Sequence, residues 1–384
     1  MLNNKRIIIT VHYLVYGAPQ ALREYLMNER VGELLFIAHP LYAEGTDLSY
    51  QELIKAGQSI SKKTSPLRTK ISVLNYFLEA LLTAWWVLKQ KGKFDVFFGA
   101  DCLNALAGIW LRWLGKTKKV IFYTIDFSPE RFSQPLLNKI YHQIEKFCVK
   151  HADEVWDVSP RVAEGRKKFL GLEYATKCRV VPIGIWFDKV KRRPFSEIKK
   201  HQLLFLGHLL EKQGAQLVLA AMPEIIKEIP DFHFLIIGGG PYEEELKKIA
   251  ANLQLNDHVT FTGWVKEREK LDVLVPESAC AIAPYDPTKA GYTYFADPTK
   301  IKDYLSAGLP VMLTDVAHNA RELEKEGCGI VIGYNQEDIA RAVTQMLKDE
   351  TMLQKYRDNA VRYIDQYDWS KLFNRQFTSL FPNP

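Results

Sequence analysis

Apolar runs alternate with amphipathic stretches from the start of the chain. RIIITV is followed by a helix-like stretch from Pro19 to Asn28, then by ELLFIA, FDVFFGA, the stretch Leu103 to Leu114, and KVIFYTI. Such alternation predicts parallel strands wrapped by helices. A second series begins after about residue 200 with QLLFLG, DFHFLIIGGG, HVTFTG, CAIAPY, PVMLTD and GIVIG, each followed by a helix-patterned segment. The expected architecture is α/β, with two Rossmann-like doubly wound parallel-sheet domains in tandem. Between the series, VVPIGIWFDKVKRRPFSEIKK holds two prolines and a dense charge run. It reads as a linker. The expected domains are therefore 1–194 and 195–366, with 367–384, which carries Trp369, as a terminal helix packing back toward the first domain.

The opening run IIITVHYLVYGA imitates a signal peptide, but His12 and Tyr13 interrupt it, and its β-branched residues suit a buried first strand. The longest apolar stretch, Tyr76 to Leu88, carries Glu79 and falls short of the ~20 residues a spanning helix needs. The expectation is a cytoplasmic protein without a transmembrane segment, either soluble or peripheral on the inner face of the membrane.

Composition changes this picture in two ways. The 5 cysteines are scattered without paired spacing, which argues against a disulfide framework and a zinc site. The net charge of +6 is unevenly divided: residues 1–195 hold 30 Lys and Arg against 18 Asp and Glu, and the remainder 21 against 27. A basic first half points to an anionic partner there. Seven basic residues (Lys62, Lys63, Arg68, Lys70, Lys89, Lys91 and Lys93) flank the apolar helix ISVLNYFLEALLTAWWVL, with Trp85 and Trp86 near one end. Basic flanks and interfacial tryptophans suit a helix lying on an anionic leaflet. The alternative is a helix that packs on the first sheet with its lysines solvated.

Open parallel sheets bind anions where strands end and glycine turns expose backbone N–H groups. Three such places occur: Gly17 before Pro19; Gly207, His208, Lys212 and Gly214 after the first strand of the second series; and Gly238, Gly239 and Gly240 before Pro241. No G-x-G-x-x-G or P-loop is present, which removes the main support for dinucleotide and ATPase readings. DPTKIKDYLSAGLPVMLTD predicts a helix over about Thr299 to Ala307 that ends at Gly308. Thr299 and Lys300 at its start suit a diphosphate, and Asp303, one turn on, suits two ribose hydroxyls.

These motifs resemble the GT-B nucleotide-sugar glycosyltransferases, closest to the large retaining family four. The hallmarks are G-x-x-x-x-K-x-G from Gly207 to Gly214, the GGGP turn with Gly240, HVTFTGWV with Trp264, and SAGLPV. Upstream, HADEVWDVSP resembles the family's last N-domain strand and VVPIGIWFD its hinge-side turn. The chain departs from the family in places. The usual phosphate-binding arginine is His208, and Lys212 sits one place early. The family's two glutamates fall on Phe295 and Asp303, so the resemblance implies that Asp303 keeps the ribose role and that Asp297, beside Pro298, replaces the glutamate touching the donor sugar. P-[ST]-K-x-x-[ED]-Y is similar to a sub-branch acting on polyprenyl-linked sugars, some members inverting.

The resemblance implies a nucleotide-sugar donor in the second domain, a glycan or lipid-linked acceptor in the first and catalysis in the cleft. No cofactor, no tightly bound metal and no nucleic-acid partner are expected. An inverting route needs a base, for which Asp126 in FYTIDFSPE stands at a strand's carboxyl end; Asp101 and His12 hold equivalent positions and are the reserves. The competing expectations are a non-catalytic sugar-nucleotide-binding protein and a sugar-nucleotide epimerase.

Overall fold

The computed structural model describes residues 2–13, 16–41, 48–69, 71–173, 177–289 and 291–382. Lys70, one of the expected flanking residues, lies outside them. The chain divides into two compact units: residues up to Pro182 together with those from Trp369 onward, and Ile183–Asp368.

The first unit is built on eight strands: β1 (Arg6–Tyr13), β2 (Glu33–Pro40), β3 (Ser49–Lys55), β4 (Gln58–Ser65), β5 (Phe94–Ala100), β6 (Thr117–Thr124), β7 (Glu154–Asp157) and β8 (Cys178–Val180), in the spatial order β4-β3-β2-β1-β5-β6-β7-β8. The strands from β2 through β8 in that order run parallel, as the apolar runs imply. The hairpin β3/β4 is antiparallel and extends the edge. It turns at Ala56 and Gly57, with φ 47° and 81°, the paired left-handed geometry of a tight hairpin. Lys62 and Lys63 lie on β4, so these two expected helix flanks belong to a strand, and Lys62 Nζ sits 4.1 Å over the Tyr50 ring. The terminal helix Trp369–Leu380 packs in this unit on the helix Ala18–Asn28. Phe373 and Phe377 stand 5.3 and 5.5 Å from the Tyr25 ring, and Tyr25 Oη donates to Asn374 Oδ1 at 2.7 Å.

The second unit holds β9 (Lys199–Leu206), β10 (His233–Ile237), β11 (Val259–Phe261), β12 (Ser278–Ala283), β13 (Val311–Leu313) and β14 (Gly329–Val331), ordered β11-β10-β9-β12-β13-β14. All its strand pairs are parallel. Leu203, Phe205, Phe234 and Ile236 enter the core on one face, and Leu204, Leu235 and Ile237 enter the core on the other. Apolar side chains on both faces are why these strands read as continuous apolar runs rather than alternating ones.

The segment expected to be a linker is built into the second unit. Ile185 N donates to Tyr367 O at 3.0 Å, Phe187 N to Asp368 Oδ2 at 3.1 Å, and Arg192 Nε to Ser306 O at 2.8 Å. The division therefore falls after Pro182 rather than near Pro194.

Candidate functional site

In the second unit, two glycine turns meet at the carboxyl ends of β9 and β10. Gly238, at φ 134°, lies so close to Gly207 that a Cβ on it would stand 1.9 Å from Gly207 O. A Cβ on Gly240 would meet Leu209 O at 2.4 Å and His208 Cδ2 at 2.7 Å. Only bare backbone fits here, and this is the arrangement that brings N–H groups close to a ligand.

Lys300 enters the same place from the start of the helix Thr299–Ser306, for which Pro298 is the N-terminal flanking residue. A Cβ on Gly207 would lie 3.7 Å from Lys300 Nζ. Nζ donates to Gln213 Oε1 at 2.7 Å and sits 4.6 and 4.5 Å over the rings of Phe205 and Tyr285. Among the described residues it has no carboxylate partner. Burial pushes its pKa down to about 7, since an ammonium without a counter-charge is disfavoured away from water. Lys212 lies 4.5 Å over the Tyr292 ring. His208 is exposed and stands 5.6 Å from the ring of Trp264, itself 63% exposed. Asp303 lines a small open cleft with Leu206, Leu271 and Val275. Thr299 is exposed.

Asp297 is held differently. It is buried, its Oδ2 accepts from Ile183 N at 2.8 Å and lies 3.4 Å from Lys302 Nζ, and its Oδ1 lies 3.2 Å from His318 Nε2. Burial alone would raise its pKa, but Lys302 and His318 hold it below the ordinary carboxylate value. The sequence expects this carboxylate to face a sugar, whereas the structure commits it to an internal ion pair that anchors the start of the unit.

In the first unit, the three candidates of the sequence come together. His12 is near the end of β1, Asp101 directly follows β5, and Asp126 follows β6. His12 Nδ1 is 2.6 Å from Asp101 Oδ2, and its Nε2 is 3.2 Å from Glu79 Oε2. Burial would lower the His12 pKa, but the two carboxylates outweigh it and raise it to about 10. His39, 5.6 Å away, is pushed well below the usual histidine value by burial and by the charge on His12. Asp101 caps the helix Cys102–Trp113 by accepting from Asn104 N at 2.8 Å, with φ 118°. A non-glycine residue in that region is strained. Glu79 escaped the sequence reading as a site residue, and its one signal was a lone carboxylate within an apolar helix.

Asp126 and Asp101 both line a small pocket, with room for about one water, that Arg131 and Tyr141 also line. Asp126 is about half exposed (53%), and its Oδ1 accepts from Arg131 Nη2 at 2.5 Å. Gly17 is the residue before the helix Ala18–Asn28, and its N donates to Gln20 Oε1 at 3.0 Å. Its φ of −154° is extended backbone that any residue adopts. The helix Ser72–Leu88 buries Leu82, Trp86 and Val87 and exposes Phe77, Leu81 and Trp85, so one face is core and the other is free. Among the described residues no helix is long and apolar enough to cross a membrane.

Residues 187–363 match the family of glycosyl transferases group 1. A GDP-mannose-dependent α-(1-6)-phosphatidylinositol monomannoside mannosyltransferase of Mycobacterium tuberculosis is 27% identical over 203 residues, 49% of this chain and 49% of that protein. The chain thus spans about half the length of this relative. Among solved structures, sucrose-phosphate synthase from Thermosynechococcus elongatus superimposes with a TM-score of 0.71 at 16% identity, covering 98% of this chain and 99% of the other. Anabaena HepE in complex with UDP gives 0.69 at 14% identity over the same shares.

Proposed function

We propose that this chain, which has the GT-B fold and whose residues 187–363 match the group 1 glycosyltransferases, moves a sugar from a nucleotide-diphosphate donor to an acceptor hydroxyl on a lipid-linked or polysaccharide-precursor glycan at a membrane surface. One observation carries the reading: Lys300 offers a partly desolvated cation, without a carboxylate partner among the described residues, at a glycine-lined strand end. A diphosphate supplies the missing counter-charge.

Glycosyl transfer builds negative charge on the departing nucleoside diphosphate. In this proposal Lys300 and the N-terminal N–H groups of the helix Thr299–Ser306 meet that charge, with Lys212 beside them. Asp303 accepts from the ribose, and the apolar wall of its cleft borders the nucleoside. Relatives by fold bind UDP and the mycobacterial relative is named for GDP-mannose, so uridine and guanosine donors are the two to test.

In the first unit, Asp126 is the base for an inverting route, since its carboxylate is about half exposed, with Arg131 held on Oδ1. His12 does not suit that role, because between two carboxylates it stays protonated at neutral pH and has no lone pair to offer. It positions Asp101 instead. The basic charge of the first half and the exposed face of the helix Ser72–Leu88 support an anionic lipid surface as the place of the acceptor.

Calorimetry of UDP and GDP with the wild type and with Lys300→Ala tests the donor assignment. Binding that weakens in the variant is expected; equal binding would mean the phosphate lies elsewhere.

A further inference from the structure

The turn Glu211–Gln213 is pinned at three points. Gly214, which follows it at φ 78°, lies so close to Pro284 that a Cβ there would collide with the Pro284 carbonyl oxygen. Asp286 N donates to Lys212 O at 3.0 Å, and Glu211 Oε2 pairs with Lys289 Nζ at 2.9 Å. Lys212 turns its ammonium to the Tyr292 ring. What the turn offers to Lys300 is the side chain of Gln213.

An ammonium has three N–H donors and no lone pair, so the Gln213 atom that meets Lys300 Nζ is the amide oxygen. That oxygen and the rings of Phe205 and Tyr285 hold Nζ beside the bare backbone of Gly207. None of these groups brings a charge. Burial pushes the Tyr285 phenol well above the usual tyrosine value, so it stays protonated. Nearby carboxylates have other engagements: Glu211 is taken by Lys289, Asp286 accepts from Thr288 N, and Asp303, one turn along the helix, lines the cleft with Leu206. The ammonium is thus held in place without its charge being spent.

We propose that Gln213 is a positioning residue for the donor diphosphate: its neutral amide fixes Lys300 Nζ at the glycine turns and leaves the positive charge of the lysine to the phosphates. A glutamate there would make the same hydrogen bond, but it would neutralise the lysine and repel the ligand. The inference rests on the reading of Lys300 as the partner of the diphosphate. It adds a residue whose neutrality, rather than its shape, sets the affinity.

The test uses the whole chain and two readouts. The first needs no ligand and is NMR of reductively methylated lysines, with the Lys300 signal identified by its loss in Lys300→Arg. Lys300 is expected to titrate near pH 7 in the wild type, where burial alone acts on it. In Gln213→Glu it is expected to move above about pH 9, and in Gln213→Met, which has the length but no oxygen, to move no higher than in the wild type. The second readout is calorimetry of UDP, GDP and inorganic pyrophosphate at about pH 7 and about pH 8.5. Gln213→Glu is expected to weaken all three about tenfold or more and to abolish the fall in affinity between these two pH values, because its lysine is charged at both. Gln213→Met is expected to weaken them about threefold or more and to keep that fall. Should Gln213→Glu not fold, Gln213→Met still decides, since an amide that merely fills space predicts unchanged affinity for a side chain of equal length.

Three results would overturn the inference: a Lys300 titration that ignores the glutamate, wild-type affinity in both variants, or the same loss and the same pH dependence in both, which is the mark of a turn simply disturbed. Wild-type binding of UDP or GDP alongside any of these leaves the donor reading standing and removes Gln213 alone. A wild type that binds none of the three probes refutes the donor reading and the inference with it.

Discussion

Lys300 Nζ donates to Gln213 Oε1 at 2.7 Å, and this amide oxygen is a neutral acceptor at a place where a buried ammonium calls for an anion. With its pKa near 7, Lys300 is only partly charged at neutral pH in the free protein.

Donor binding is accordingly expected to take up a proton. A diphosphate favours the charged lysine and raises its pKa, so between about pH 7 and the higher bound value the complex holds a proton that the free protein lacks. Affinity for a nucleoside diphosphate falls as pH rises above 7, and the measured heat at pH 8 varies with the ionisation enthalpy of the buffer. Lys300→Ala loses both effects and about 1.5–3 kcal/mol of binding. Buffer-independent heats in the wild type would show that Lys300 does not meet the phosphate.

Asp126→Asn is expected to keep donor affinity and to cut transfer on the order of a hundredfold or more, as loss of a general base does. NMR of the product anomer reads the route separately. Inversion is the outcome consistent with Asp126 as base, whereas retention with near-normal turnover in the variant would remove it from that role.

His12 makes a distinct prediction about stability. Its folded pKa of about 10 lies above the ordinary histidine value of 6.5, so the folded state holds a proton that the unfolded chain releases between these limits. The stabilisation is complete below about pH 6.5 and is lost as pH rises through 10. Glu79→Gln should therefore destabilise the chain by about 3 kcal/mol at pH 6, and the gap from wild type should close toward pH 10. Denaturant midpoints across that range check it, and a gap constant with pH would mean that His12 is neutral.

What the sequence disclosed and what it hid follow from range. Buried parallel strands such as RIIITV and QLLFLG are apolar on both faces, so they are visible in a local window, as are the glycines at their ends. The hairpin of β3 and β4 was missed because QSISKKTS is an exposed edge strand whose polar residues carry no burial pattern. The charges of KVKRR imitated a linker, whereas Arg192 reaches back to Ser306, more than a hundred residues away in sequence. Asp297 and Glu79 show the same limit. A carboxylate's role depends on what faces it, and Lys302 with His318 for one, and His12 for the other, are partners that only the folded chain supplies.

Gly238→Ala is expected to destabilise the second unit by more than about 2 kcal/mol, since φ is 134° and the new Cβ would meet Gly207 O. Nucleoside diphosphate binding should be lost with it. Thermal unfolding of the variant checks the claim, and an unchanged midpoint would mean that the two turns do not approach as closely as this.

The decisive assay is release of nucleoside diphosphate from UDP- and GDP-sugars by this chain, with and without an extract of anionic membrane lipids. The expected result is release from one donor class that depends on the lipid and falls sharply in Lys300→Ala. No release from any donor, together with flat titrations of UDP and GDP, would contradict a nucleotide-sugar transferase.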